Sequence, residues 1–220
     1  MHKYILKRVV ISLVLLLTAV GVVYAILSLA PRDPSTVLLE KPVIYLYPET
    51  PQEVVVRLDT PGRLTRTEPL YRDGWRVTAH PDDTILDETG QSFEYLFWEA
   101  ESDLKWDLTE GFCIAGSDTA AFLENSLARL GLSAHEREQF TYYWLPRMEN
   151  DRYNIIAFQG SAYEQANRLT VTPAPDTVIR VFMTWAVSDR PLDLPPQTLS
   201  APERAGFTVV EWGGCEFALQ

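Results

Sequence analysis

Sulfur and imidazole are scarce in this chain: 220 residues hold two cysteines, three histidines and three methionines. Two cysteines exclude the multi-disulfide frameworks that staple small secreted domains. There is no Cys-x-x-Cys, no His-Glu-x-x-His, no Gly-x-Ser-x-Gly and no glycine-rich phosphate loop. Those absences remove the signatures of thiol redox, zinc protease, α/β-hydrolase and nucleotide-dependent chemistry, and no cofactor is expected. Asp82, Asp83, Asp87 and Glu88 crowd one turn but lack the spacing and glycine of a calcium loop, so no metal site is expected either. Positive charge is also short. Of 19 Lys and Arg, Lys3, Lys7 and Arg8 precede residue 30, where there is no acid; sixteen remain against 30 Asp and Glu, a net of −14. Such a domain is repelled by phosphate backbones, which argues against nucleic acid as a partner.

One long hydrophobic run is present. Val9 to Ala30 is 22 residues without a charge. As a helix it extends roughly 33 Å at ~1.5 Å per residue, enough to cross a bilayer core of ~30 Å. The cations before it stay on the cytoplasmic side, so the remainder is translocated. The expected organisation is a cytoplasmic N-terminus (1–8), a transmembrane signal anchor (9–30), a proline-containing linker (31–40) and one extracytoplasmic domain (41–220). The alternative is a secreted product, since Ser28-Leu29-Ala30 and Val23-Tyr24-Ala25 both carry the small residues of a signal-peptidase site.

Beyond the linker the pattern predicts strands at 43–47, 53–58, 75–79, 84–86 and 93–98, punctuated by Pro-Gly, Pro-Asp-Asp and Thr-Gly turns, as an antiparallel meander. Leu123, Leu127 and Leu130 then recur at helical spacing, with Ser117 as the expected N-cap and Gly131 as the stop. Ser133 and Glu136 form a capping box for a second helix that Pro146 is expected to end. Strands resume at 153–158, 168–171, 177–185 and 207–212, the last after a proline-rich connection. Strands, then helices, then strands predict an α+β fold: an antiparallel, β-rich domain with an inserted αα-hairpin.

Six stretches stand out: Lys41 to Pro48 (KPVIYLYP), Gly74-Trp75, Tyr95 to Glu99 (YLFWE), Tyr143 to Pro146 (YWLP), Arg180 to Met183 (RVFM) and Gly206 to Gly214 (GFTVVEWGG). Together, and in this order, they resemble an uncharacterised bacterial protein family over about residues 41–214. The resemblance implies that strands and hairpin form one domain. It carries no activity and transfers no catalytic residue.

Three sets of residues are candidates for function. Cys113 and Cys215 either pair, closing a loop of about 100 residues worth on the order of 4–5 kcal/mol, or remain two buried thiols. Glu99 and Glu211 each adjoin a tryptophan; two carboxylates with separated pKa values are the equipment of a glycosidase. Tyr45, Tyr47, Trp75, Trp98 and Trp212 belong to an aromatic excess that can line a sugar or peptide groove or fill a core. The first expectation is therefore a membrane-tethered, non-catalytic module that binds a cell-envelope glycan or a membrane protein, held to the membrane by residues 9–30. The alternative is an extracytoplasmic, glycosidase-like hydrolase using Glu99 and Glu211.

Overall fold

Period-2 alternation places most of the strands. A computed structural model describes residues 36–219; the expected transmembrane helix at 9–30 lies outside them. Among the described residues, no helix is long and apolar enough to cross a membrane. The chain runs β1 (Val37–Tyr47), β2 (Gln52–Asp59), β3 (Arg63–Glu68), β4 (Trp75–Ala79), β5 (Ile85–Asp87), β6 (Ser92–Phe93), β7 (Leu96–Ser102) and β8 (Phe112–Ala115). A 3₁₀ turn leads into helices α1 (Thr119–Arg129) and α2 (Ala134–Met148). Then come β9 (Tyr153–Gln159), α3 (Ser161–Ala166), β10 (Arg168–Thr172), β11 (Thr177–Ser188) and β12 (Thr208–Glu216). The α+β class, rich in antiparallel strands, is present as expected.

The expected meander is instead divided between two sheets. One has seven strands in the order β3-β7-β1-β12-β11-β9-β8; the other has five in the order β10-β2-β4-β5-β6. Consecutive strands β1 and β2 go to different sheets because their apolar faces serve different layers. Ile44 and Leu46 of β1 meet Val54, Val56 and Leu58 of β2 in a core between the sheets. The opposite face of the large sheet carries Val43, Tyr45, Val181, Met183, Val210 and Trp212, and these pack on Leu123, Leu127, Phe140 and Trp144 of the helices. The result is three layers: small sheet, large sheet, helical hairpin. Burial on both faces is why the central strands are apolar almost throughout.

Within the large sheet, β11 and β12 are parallel. A parallel pair needs a crossover, and the proline-rich segment 189–207 supplies it without a helix. Gln197 on that segment pairs with both the N–H and the C=O of Phe158, at 2.8 and 3.0 Å, as a neighbouring strand would. Pro42 sits in a central strand, where proline is normally excluded. It is tolerated because the ladder skips residues 41 and 42 on both sides, toward β12 and toward β7. Lys41 takes the left-handed conformation at this bulge, with φ 58°.

The helices differ from expectation at two ends. Ser117 lies within the 3₁₀ turn and does not cap α1; Asp118 holds the N-cap place without a side-chain bond. Pro146 does not end α2. It lies in the last turn, and the helix continues to Met148. The other ends follow the sequence. Gly131, at φ +85°, closes α1 with a Schellman pair, Leu132 N–H to Leu127 C=O and Gly131 N–H to Ala128 C=O. Ser133 and Glu136 make the capping box reciprocally. Strands β3 and β8 and helix α3 have no counterpart in the sequence reading. Edge strand β3 (RLTRTE) is too polar to show an apolar stripe. Strand β1 starts at Val37, inside the segment expected to be linker.

The tandem glycines of β12 are steric requirements. A Cβ on Gly214 would stand 2.7 Å from the Trp144 ring and 2.7 Å from the Met183 carbonyl; on Gly213 it would press the Pro42 backbone. Gly214→Ala is expected to destabilise the protein by about 1–3 kcal/mol through overpacking. Tyr142→Ala, on the outer face of α2 where the side chain is 85% exposed, is expected to stay within about 0.5 kcal/mol. Urea unfolding of the two variants beside the natural protein checks the contrast.

Candidate functional site

The two carboxylates expected to work together are on opposite faces of the large sheet. Trp98 points into the core between the sheets, so alternation along β7 turns its neighbour Glu99 to the helix-side face. Glu211 points the other way and is fully engaged. It lies opposite Arg180 in the β11–β12 register. The guanidinium Nε and Nη2 both approach Oε2 at 2.6 Å, Trp98 Nε1 donates to Oε1 at 3.1 Å, and the Tyr163 hydroxyl donates to Oε2 at 3.4 Å. The Arg180 and Glu211 side chains are only 5% and 1% exposed. Burial opposes charge on Arg180, but the carboxylate of Glu211 outweighs it and the guanidinium stays ionised. Burial pushes the Tyr163 hydroxyl upward, and Glu211 adds to the shift. This is a buried structural pair, and a glycosidase built on Glu99 and Glu211 fails on geometry.

The cysteines do not pair. Cys215 on β12 and Cys113 on β8 are separated by β11 and β9, a distance on the order of 14 Å at ~4.8 Å per strand. A disulfide needs Cα atoms within about 7 Å, and both thiols are free. Burial pushes the Cys215 thiol up to about 12, which makes it inert. The aromatic candidates are core. Tyr45, Trp75, Trp98 and Trp212 are at most 2% exposed. Tyr47 is half-buried, yet its hydroxyl is committed to Glu136 at 2.7 Å and Arg204 lies over its ring. They form no open groove, and their number is explained by two cores rather than one.

The arrangement that remains unexplained by packing centres on Lys41. Its ammonium donates to the Tyr95 hydroxyl at 2.9 Å and lies 4.6, 5.3 and 6.0 Å from the ring centres of Tyr95, Phe97 and Tyr143. Among the described residues, none of the ion pairs involves Lys41, although acids outnumber bases. An ammonium has three donors, and the Tyr95 hydroxyl takes one. Two arginines flank it on the same rings. Arg66 lies 5.1 Å from the centre of Phe97 and Arg147 4.2 Å from that of Tyr143. Arg147 also donates to Glu40 at 2.8 Å, and the Tyr143 hydroxyl shares that carboxylate at 3.1 Å.

Four segments build this collar: the β1 bulge presents Lys41, β3 presents Arg66, Tyr95 and Phe97 stand just before and at the start of β7, and α2 presents Tyr143 and Arg147. Glu94, one residue before Tyr95, ties its segment to α2: His135 Nε2 lies 2.6 Å from Glu94 Oε1 and Gln139 donates to the same oxygen at 2.7 Å. Sequence reasoning overlooked Lys41, Arg66 and Arg147 because no local pattern joins them. The available signal was that Lys41, Tyr95 and Tyr143 each open one of the distinctive stretches.

No family model matches the chain. No solved structure matches it. It is similar to a protein of Butyrivibrio fibrisolvens called "Uncharacterized protein in bglA 3'region", with 47% identity over 64 residues; these are 28% of this chain and 66% of the relative. The chain thus spans just under two thirds of that relative's length. The resemblance to uncharacterised bacterial protein, read from the sequence, stands, and no activity comes with it.

Two measurements test the electrostatics. Glu211→Gln strands a buried guanidinium and is expected to cost about 3–5 kcal/mol, whereas converting both Glu211 and Arg180 to Met recovers part of that loss, the Trp98 and Tyr163 donors being left unpaired; chemical denaturation of the three proteins reads it. Glu94, chiefly through its hydrogen bond, raises the His135 pKa above the ordinary histidine value. The protonated latch therefore adds stability in full below about pH 6.5, and that contribution is lost as pH rises through the raised value. NMR titration of the His135 ring is expected to show the elevated midpoint, and Glu94→Gln to lower it.

Proposed function

We propose that residues 36–219 are a non-catalytic binding module working outside the cytoplasm, tethered by the 9–30 segment, with the Lys41 collar as its contact with the cell envelope. The observation that carries this reading is the unpaired Lys41 ammonium. A half-buried cation without a carboxylate partner among the described residues, in a protein with a large acidic excess, has donor capacity left for something more. The strained backbone beneath it points the same way, since a non-glycine residue held in the left-handed region costs about 1–3 kcal/mol and such residues cluster at ligand sites. The hydrophobic run with cations before it and none within supports the tether and the orientation.

Two experiments test the reading. A C-terminal tag on the full chain is expected to be cut by protease added outside intact spheroplasts; a tag protected until lysis overturns the placement. The detergent-solubilised full chain is expected to sediment with purified cell-wall sacculi. Lys41→Gln is expected to weaken that retention by about tenfold, the loss of one charge-assisted contact. Equal retention of both proteins would remove the collar from the function.

A further inference from the structure

Strand β11 outruns its partner on one side. Its odd-numbered residues bond to β12: Thr177 N–H donates to Phe207 C=O, and Phe217 N–H donates to Trp185 C=O. By alternation, the main-chain groups of its even-numbered residues point toward β9. Pairing with β9 starts only at Phe182, opposite Gln159, because the chain leaves the sheet at Gly160 and enters α3. The N–H and C=O of Val178 and Arg180 therefore point to a side where β9 has ended. Among the described residues, no group bonds to these four. They are open to solvent. Arg180 is half-buried as a residue while its side chain is only 5% exposed, so its exposure is that of the main chain. Val178 is 44% exposed.

We propose that this edge is a second binding site, separate from the Lys41 collar, and that it takes an extended cationic peptide as an added antiparallel strand. An extended main chain presents donors and acceptors at the two-residue repeat of Val178 and Arg180, which is the chemistry of strand addition. Room for its side chains is present on both sides. One cleft of about 420 Å³ lies between α3 and the crossover, with Leu130 and Leu199 in its wall. A second, of about 430 Å³, lies toward β10 and is walled by Leu169, Val171 and Val178. Glu164 and Arg180 line both, so the clefts meet at the unpaired edge, and alternate side chains of an added strand enter one and then the other.

The charge of the partner follows from the same walls. Asp107, Glu110 and Glu164 are exposed there, and among the described residues none of the ion pairs involves them. The Arg180 charge is matched by Glu211, which leaves Arg168 as the base facing those three acids. Local and overall charge thus agree in favouring a positively charged strand.

The test uses the full chain in zwitterionic nanodiscs and three fluorescent pentapeptides read by anisotropy. They are acetyl-Lys-Val-Thr-Val-Lys-amide, the same peptide N-methylated at both valines, and the same sequence with glutamates in place of the lysines. The first is expected to bind about tenfold more tightly than its N-methylated form, as the loss of main-chain hydrogen bonds requires, and about threefold to tenfold more tightly than the glutamate peptide. Its saturation is expected to slow amide hydrogen exchange at residues 177–181. Val178→Pro removes an N–H that the fold does not use and is expected to weaken the lysine peptide about fivefold; Glu164→Gln is expected to weaken it about twofold to threefold. Lys41→Gln is expected to leave its binding unchanged, so the collar and this edge fail or succeed separately. Equal binding of the N-methylated peptide overturns strand addition. Equal or tighter binding of the glutamate peptide overturns the charge of the partner. Unchanged exchange at 177–181 with all three peptides overturns the site, and that readout on the natural protein decides even where Val178→Pro does not fold.

Discussion

The organisation of this domain follows from one constraint: its central strands are covered on both faces. Strands β1, β11 and β12 have the small sheet on one side and the helical hairpin on the other. Along their middles few residues can turn to water, so most positions there are apolar, tiny or internally satisfied. The tandem Gly213-Gly214 is the tiny solution, giving Pro42 and the Trp144 ring room to lie against the backbone of β12. The apolar solution accounts for the aromatic excess, since Trp98 and Phe182 fill one layer while Trp144, Trp185 and Trp212 fill the other.

The third solution is the buried ion pair. Taking two charges out of water costs several kcal/mol per ion, and attraction repays it only when the geometry is close and the other lone pairs are satisfied. Arg180 and Glu211 meet the first of those terms through direct register opposition, and Trp98 and Tyr163 complete the carboxylate, while the Arg180 Nη2 has close charge contact but no aligned hydrogen bond. The parallel pairing of β11 and β12 has no turn to set its register; a charge pair that works in one register and leaves two buried charges in any other sets it instead. A second buried acid, Glu136, obeys the same rule. It accepts from the Ser133 amide at 2.7 Å and from the Tyr47 hydroxyl, and pairs with Arg204 of the crossover. One carboxylate thereby fixes the start of α2, the end of β1 and the crossover together.

What was legible in the sequence was what is local. Alternation located most strands to within a few residues, Ser133 and Glu136 announced α2, and Gly131 announced the end of α1. Division of the strands between two sheets was not legible, because partner choice depends on which layer an apolar face serves. That a helix can carry Pro146 in its last turn is also a tertiary outcome, since Trp144 and Met148 are anchored in the core on either side of it. The candidate site divides along the same line. Tryptophan beside glutamate looked like chemistry at Glu99 and Glu211, yet adjacency along a strand sends neighbours to opposite faces. Lys41, Tyr95 and Tyr143 showed their distinctiveness one at a time; that they share a place required the fold.

The balance of energies at Lys41 bears on what the bulge is for. Holding a lysine at φ 58° costs on the order of 1–3 kcal/mol. Its ring contacts return about 0.5–1 kcal/mol at a partly exposed site, and its hydrogen bond to Tyr95 about as much again. For stability alone, glycine at this position does as well or better, and the glycines opposite show that the fold uses glycine freely where the backbone demands it. Pro42 explains why the ladder breaks here; it does not explain a cation. What the lysine adds over glycine is a charge that has no carboxylate partner among the described residues, carried on a strand packed on both faces. A site built on such a strand positions its donor better than one on a loop, which is the physical case for reading the collar as a place of recognition rather than as a by-product of packing.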